Sequence, residues 1–187
     1  LGYITGKLPY CNEDEDGKME GSLASLATTL HDKFGITVKT VAFDSYKMMS
    51  KALSEGSIDV ALPAYRDYWF AEQSGVVQSV SLGTISLTAI HTGSNLKKDL
   101  QNIACTKSSF VNRNALESLF PTATVTEYQS DDEAFDALRK GTARCIVAPS
   151  SRVKTIGDRY DLEDCETAEL PDTRELSCWI SRGKPEL

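Results

Sequence analysis

Apolar residues in this chain alternate between two spacings, one that suits helices and one that suits short buried strands. Leu23, Leu26, Ala27 and Leu30 share one helical face within residues 21–34, with Gly35 as a stop. Residues 1–5 alternate weakly and end at Gly6, which predicts a first strand followed by a polar loop through Gly17. Residues 38–43 then read as a strand, 45–54 as a helix closed by Gly56, and 58–62 as a fully buried strand. That β-α-β-α-β order favours a parallel sheet. The second half repeats it, with strands at 102–106, 123–128 and 143–148 and helices at 110–120 and 131–140. Between the halves, residues 84–91 form an extended segment flanked by Gly83 and Gly93, as expected of a strand passing from one lobe to another. A second crossing is expected at 176–181. The fold class is therefore α/β, with two lobes of mainly parallel sheet flanked by helices and joined by two crossing strands. Lobe 1 is placed at 1–84 with 182–187, and lobe 2, an insertion, at 85–181, with hinges near 84–90 and 176–182.

The halves also match residue by residue. Residues 43–64 recur without a gap at 128–149, an offset of 128 − 43 = 85. Ser45 falls on Ser130, Ala52 on Ala137, Leu53 on Leu138 and Gly56 on Gly141. These are positions where a cap, a core contact or a helix stop is required, so the repeat speaks for two similar lobes with a cleft between them. It also shows a difference, because Pro63-Ala64-Tyr65-Arg66 leads into an aromatic segment whereas Pro149-Ser150-Ser151-Arg152 does not. Recognition is therefore weighted toward the first lobe, with the second as a closing jaw that contributes Lys107 to Ser109.

Composition narrows the function. At 187 residues, with 41% hydrophobic and 25% charged residues, the chain can bury a real core. A net charge of −7, without a basic run longer than a pair such as Lys97-Lys98, argues against a nucleic-acid partner. No apolar run approaches the ~20 residues a membrane span needs, and the chain begins at Leu1, as if excised from something longer. Five cysteines lack CxxC spacing, so no zinc or redox motif is indicated. Cys105 and Cys145 read as small buried hydrophobes, while Cys165 and Cys178 pair only if their segments are neighbours. Residues 12–17 imitate the start of a calcium loop, but the acidic twelfth ligand would be Leu23, so the segment reads as a solvated turn. His31 and His91 are the only histidines, and neither a nucleophile elbow nor a glycine-rich phosphate loop is present. No catalytic residue, metal or cofactor is predicted.

The order of Glu15-Asp16-Gly17-Lys18-Met19-Glu20-Gly21 after a first strand, Phe43-Asp44-Ser45 before a helix, and Glu55-Gly56-Ser57-Ile58-Asp59-Val60-Ala61 into a strand resembles the type II periplasmic solute-binding proteins. It is most similar to their family 3, the amino-acid-binding branch. Residues 102–109 and 128–146 resemble the second lobe of the same family. The segment from Ala64 to Gly75 resembles forms of this domain found in diguanylate cyclases and histidine kinases. Family members usually continue past the point reached by Leu187 with one or two helices, so the chain looks like a trimmed sensor domain.

In open α/β lobes, ligands sit beyond the carboxyl ends of the parallel strands. That rule selects Tyr10, Tyr65, Arg66, Asp67, Tyr68, Trp69, Thr106, Lys107, Ser108, Ser109 and Ser150 as candidate ligand-binding residues. Tyr10, Tyr65, Tyr68 and Trp69 offer walls for a planar or cationic ligand, and Lys107-Ser108-Ser109 before a helix offers donors to an anion. Their ordinary alternatives are loop packing, an inconsequential Arg66–Asp67 pair and plain N-capping. Amino-acid binders carry a Thr or Ser followed three residues later by a carboxylate-clamping Arg, where this chain has Tyr68-Trp69-Phe70-Ala71. The second-lobe Asp for the amino group would fall near Pro149 or Ser150. Only a shift of Arg66 into the clamp role would restore a standard amino-acid site.

The resemblance implies an extracytoplasmic sensor domain, in which lobe closure on a small molecule (amino-acid-like, organic acid or amine) is relayed to a signalling output. It also implies tethering to a membrane protein and a homodimer in the full-length receptor. The alternatives are the solute-binding component of an ABC transporter and a dehydratase-type enzyme on the same fold.

Overall fold

The computed structural model describes residues 1–184, which divide into two compact units. The first comprises Leu1–Thr84 and the chain from Glu175 onward; the second is the contiguous stretch Ile85–Arg174. In chain order the first unit holds β1 (Gly2–Ile4), a hairpin of β2 (Asn12–Glu13) and β3 (Met19–Glu20), α1 (Ser22–Phe34), β4 (Val41–Phe43), α2 (Tyr46–Ser54), β5 (Val60–Tyr65), α3 (Tyr68–Ser74) and β6 (Val76–Gln78). β7 (Gly83–His91) carries the chain into the second unit. There follow α4 (Leu96–Asp99), β8 (Asn102–Thr106), α5 (Arg113–Leu119), β9 (Thr124–Tyr128), α6 (Asp131–Arg139), β10 (Cys145–Pro149) and, after a 3₁₀ turn at Ser150–Arg152, α7 (Val153–Tyr160). β11 (Glu166–Ser181) returns the chain to the first unit.

Within the first unit β1 lies parallel to β4 and β5, and β11 runs antiparallel between β5 and β6. In the second, β8 is parallel to both β9 and β10, and β10 is antiparallel to β7. The parallel pairs are those joined by helical crossovers, as chain connectivity requires.

The 85-residue offset is physical. α2 and α6 have bounds that differ by 131 − 46 = 85 and 139 − 54 = 85. Ser45 Oγ accepts from the Met48 N–H at 3.3 Å, and Ser130 Oγ accepts from the Glu133 N–H at 3.2 Å, so each helix starts on a side-chain cap. Glu133 completes a reciprocal arrangement by accepting from the Gln129 N–H at 3.0 Å. Gly56 and Gly141, at φ of 72° and 71°, turn the chain where an L side chain would be strained. The equivalent Leu53 and Leu138 are fully buried, and each contributes about 1.5–3 kcal/mol of apolar burial. In the first unit Leu53 packs with Ile4, Met49, Ile58 and Trp179; in the second Leu138 packs with Ile90, Phe135, Ile146 and Tyr160.

Several elements differ from the sequence expectation. The polar loop after β1 contains the β2–β3 hairpin, whose turn is organised by Asp14 Oδ1 accepting from the N–H groups of Asp16 and Lys18. The strand expected to end at Leu62 runs to Tyr65, because Pro63 lies where the β5–β11 register shifts and its missing N–H breaks no ladder bond. The aromatic segment that follows is a helix, α3, capped by Asp67. The helix expected from 110 begins at Arg113, since Asn112 rather than Ser108 or Ser109 supplies the cap. All five cysteines are free. Cys165 precedes and Cys178 lies within one continuous strand, and 178 − 165 = 13 extended residues separate them far beyond the about 7 Å Cα limit for a disulfide.

Candidate functional site

The first unit places its candidate residues around the carboxyl end of β5. Tyr65 is the last residue of that strand and points into the core at 2% exposure. It meets Tyr46 and Trp179 edge-on with ring centroids 6.3 Å from each. It is a core residue rather than a surface wall. Asp67 is engaged as the α3 cap, its carboxylate accepting from the Phe70 N–H at 3.0 Å. Arg66 donates to Glu175 Oε2 at 3.2 Å and lies 4.9 Å from the centre of the Tyr68 ring, so its charge is already balanced from β11. Tyr10 is half-buried against Tyr3, Cys11, Met19 and Leu23. Its carbonyl accepts from the Leu23 N–H, and a Cβ at Gly21 would stand 2.7 Å from that oxygen. Tyr68 and Trp69 are different: at 66% and 68% exposure they present two aromatic faces on the first turn of α3. α3 packs its other face inward through Ala71 and through Phe70, which stacks on Trp179 at 4.9 Å.

The second unit gathers hydroxyls at the carboxyl ends of β8 and β10. Thr106 is buried; its N–H donates to Ser109 Oγ at 2.8 Å, and its Oγ1 donates to Asp131 Oδ1 at 3.0 Å. The same Oγ1 lies 3.1 Å from the hydroxyls of both Ser108 and Ser109. This closed turn, with α5 starting only at Arg113, leaves Lys107 to Ser109 short of the α5 N-terminus, so the α5 dipole is not theirs to use. Lys107 is exposed and donates to Gln129 Oε1 at 2.8 Å. Ser150 pairs with Thr88 of β7 at 2.7 Å. Beneath the turn lies a cavity of about 30 Å³ whose polar lining is Thr106, Ser109, Asp131 and Arg152. Arg152 and Asp131 were not among the candidates read from sequence. Arg152's position just after the buried strand β10 was the available signal for it.

A second polar cluster lies within the same unit, around β7 and β10. Asp99 is 1% exposed, its Oδ2 3.1 Å from His91 Nδ1, and its Oδ1 accepts from Arg144 Nε at 3.1 Å. Burial works against the Asp99 carboxylate, yet the His91 and Arg144 contacts outweigh it and hold its pKa below the ordinary value. Cys145 is the ladder partner of His91. Burial pushes its thiol up to about 12, so the Cys–His–Asp proximity lacks an ionisable nucleophile at neutral pH. Among the described residues no group of three or more His, Cys, Asp or Glu side chains is arranged to hold a metal ion, and no helix is long and apolar enough to cross a membrane.

Comparison with known proteins adds the fold. No protein-family model and no curated protein matches the chain. Solved structures match along nearly all of it. A histidine kinase sensor domain with similarity to periplasmic binding proteins aligns with a TM-score of 0.80 at 17% identity, over 99% of this chain and 82% of that one. The periplasmic VFT2 domain of BvgS from Bordetella pertussis aligns with a TM-score of 0.78 at 17% identity, over 100% of this chain and 81% of the other. The ancestral amino acid-binding protein AncCDT-1, a precursor of cyclohexadienyl dehydratase, aligns with a TM-score of 0.77 at 20% identity, over 99% and 81% of the two chains. With its two α/β units and paired crossing strands, the chain has the Venus-flytrap fold of the type II periplasmic binding proteins.

Proposed function

We propose that this chain is an extracytoplasmic small-molecule-binding sensor domain of a longer signalling protein. The observation that carries this reading is the pair Tyr68 and Trp69, held two-thirds exposed on a helix whose opposite face is anchored in the core. Large aromatics left in water by a well-packed element are a recognition surface. Two similar structures are sensor domains, one of a histidine kinase and one the periplasmic VFT2 domain of BvgS, which supports a sensing role and a location outside the cytoplasm. Occupancy would be relayed through β7 and β11, the two strands that pass between the units. The pairing of the Arg66 guanidinium with Glu175 speaks against Arg66 in the carboxylate-clamp role of amino-acid binders.

A thermal-shift screen against amino acids, organic acids, polyamines and quaternary amines tests the reading, because a ligand bound only by the folded state raises Tm. For the compound that does so, Trp69→Ala is expected to weaken binding at least tenfold while leaving the circular dichroism spectrum unchanged. Unaltered affinity in Trp69→Ala would remove this surface from the site.

A further inference from the structure

We propose that α3 is a strap that lifts from the first unit by itself, carrying Tyr68 and Trp69 with it while the sheet beneath stays paired. This goes beyond the sensing reading above by making its recognition surface mobile, and it is tested without a ligand.

The strap is tied at both ends to one strand. The Arg66 N–H donates to the Glu175 carbonyl at 2.8 Å, and Val76 pairs with Ser181, both partners lying on β11. Between those ties, among the described residues, one hydrogen bond joins residues 67–75 to the rest of the protein: Gln78 Nε2 donates to the Asp67 carbonyl at 3.0 Å. The apolar anchor is narrow as well. Ala71 is the buried residue of α3, helped by the Phe70 stack on Trp179, whereas α2 buries Tyr46, Met49, Ser50 and Leu53.

What favours lifting is polar. Among the described residues, five buried side-chain nitrogen or oxygen atoms have no hydrogen-bond partner, and three of them gather at the foot of α3: Arg66 Nε, Gln78 Oε1 and Ser177 Oγ. Ser177, at 0% exposure, sits opposite Ala64 near the end of β5. Gln78 sits opposite Trp179 and reaches across to Asp67, and Arg66 leads into the strap. A buried polar atom without a partner has given up its water and gained nothing in return. Lifting α3 gives water back to this seam, at the expense of one stack, one small buried side chain and one hydrogen bond. Once lifted, seven residues fall short of the about 12–15 that a helix needs to persist alone, so the strap loses its amide protection.

Native-state hydrogen exchange on the whole chain, read by mass spectrometry as protection factors, tests this. In the wild type, residues 68–75 are expected to exchange about tenfold faster, or more, than residues 46–54 of α2. Their rate should be nearly independent of urea below the unfolding transition, because lifting exposes little surface. Ser177→Ala removes an unpaired hydroxyl from the closed form and should slow exchange at 68–75 by about threefold, with α6 unchanged. Phe70→Ala removes the stack and should speed exchange at 68–75 more than at 46–54. Exchange at 68–75 that matches α2, or that rises with urea as steeply as α2, overturns the strap. Folded Ser177→Ala protein with unchanged or faster exchange at 68–75 overturns the unpaired seam as its cause. Should either variant fail to fold, the wild-type ratio and its urea dependence decide the matter. None of these outcomes depends on whether Trp69 binds a ligand, which the affinity measurement above decides separately.

Discussion

Replacing Asp99 by Asn keeps its shape and removes its charge from the His91–Asp99–Arg144 cluster. The carboxylate is engaged by two side chains at 3.1 Å each, in a place where Gly93 leaves no room for adjustment: a Cβ there would stand 2.5 Å from Asp99 Oδ2 and 2.7 Å from an Arg144 nitrogen. Hydrogen bonds to charged groups are worth about 1.5–3 kcal/mol apiece. The amide retains one acceptor, and Arg144, with 42% of its side chain exposed, recovers part of its hydration. The expected loss is therefore about 2 kcal/mol, below the about 3–5 kcal/mol of a buried pair broken outright. With a urea m-value of about 1–3 kcal/mol/M, that moves the unfolding midpoint by about 1 M at neutral pH. The pH dependence carries the sharper signature. The His91 and Arg144 contacts hold the folded Asp99 carboxyl below the ordinary carboxylate range. Its contribution is thus fully present above about pH 4 and fades as pH falls through the folded value. Urea titrations followed by circular dichroism should show a constant gap between wild type and Asp99→Asn from pH 5 to 8 and a closing gap below pH 4. A gap under 0.5 kcal/mol at pH 7, on the scale of a surface substitution, or one that stays open in acid, would refute the assignment of charge to this carboxylate.

Two further outcomes follow from the architecture. Ser45→Ala and Ser130→Ala each remove one helix cap and should each cost about 1 kcal/mol. The double variant should cost their sum by urea unfolding, because the caps belong to different units; a non-additive result would mean that they are coupled. Burial pushes the Cys105 and Cys145 thiols up to about 12, so a disulfide reagent at pH 8 should leave both unmodified in the native protein and modify them in urea. The half-buried Cys165 and Cys178 should react first, and faster labelling of Cys105 would contradict the packing around β8.

Periodicity made the fold legible because the residues that decide it act locally. Ser45 and Ser130 start helices by bonding a backbone three residues away, and Gly56 and Gly141 end them through a conformation open mainly to glycine. The site was harder to read, because a side chain's direction depends on register. Tyr65 belongs to the core because Pro63 is absorbed by an irregularity in the β5–β11 pairing and the strand continues, a fact held in β11 more than 100 residues away in the chain. Lys107 to Ser109 carry the composition of a helix start, but the same hydroxyls satisfy one another and Asp131, and Asn112 takes the cap. Arg152 was obscured because a basic residue after a strand is ordinarily solvated, whereas here the 3₁₀ turn it ends leaves Ser151 exposed and turns Arg152 inward to the cavity.

The first unit is discontinuous in the chain, and its central tryptophan arrives last. Trp179, on β11, is fully enclosed by Tyr46, Tyr65 and Phe70, and β6 pairs only with residues 179–181 of that strand. On a ribosome, Ile85–Arg174 emerges as an uninterrupted stretch and can assemble its sheet while the first 84 residues still lack the strand that completes theirs. Synthesis therefore leaves a half-built sheet with an open edge waiting for its final partner, and the order of birth along the chain is the reverse of the order in which the two units can finish folding.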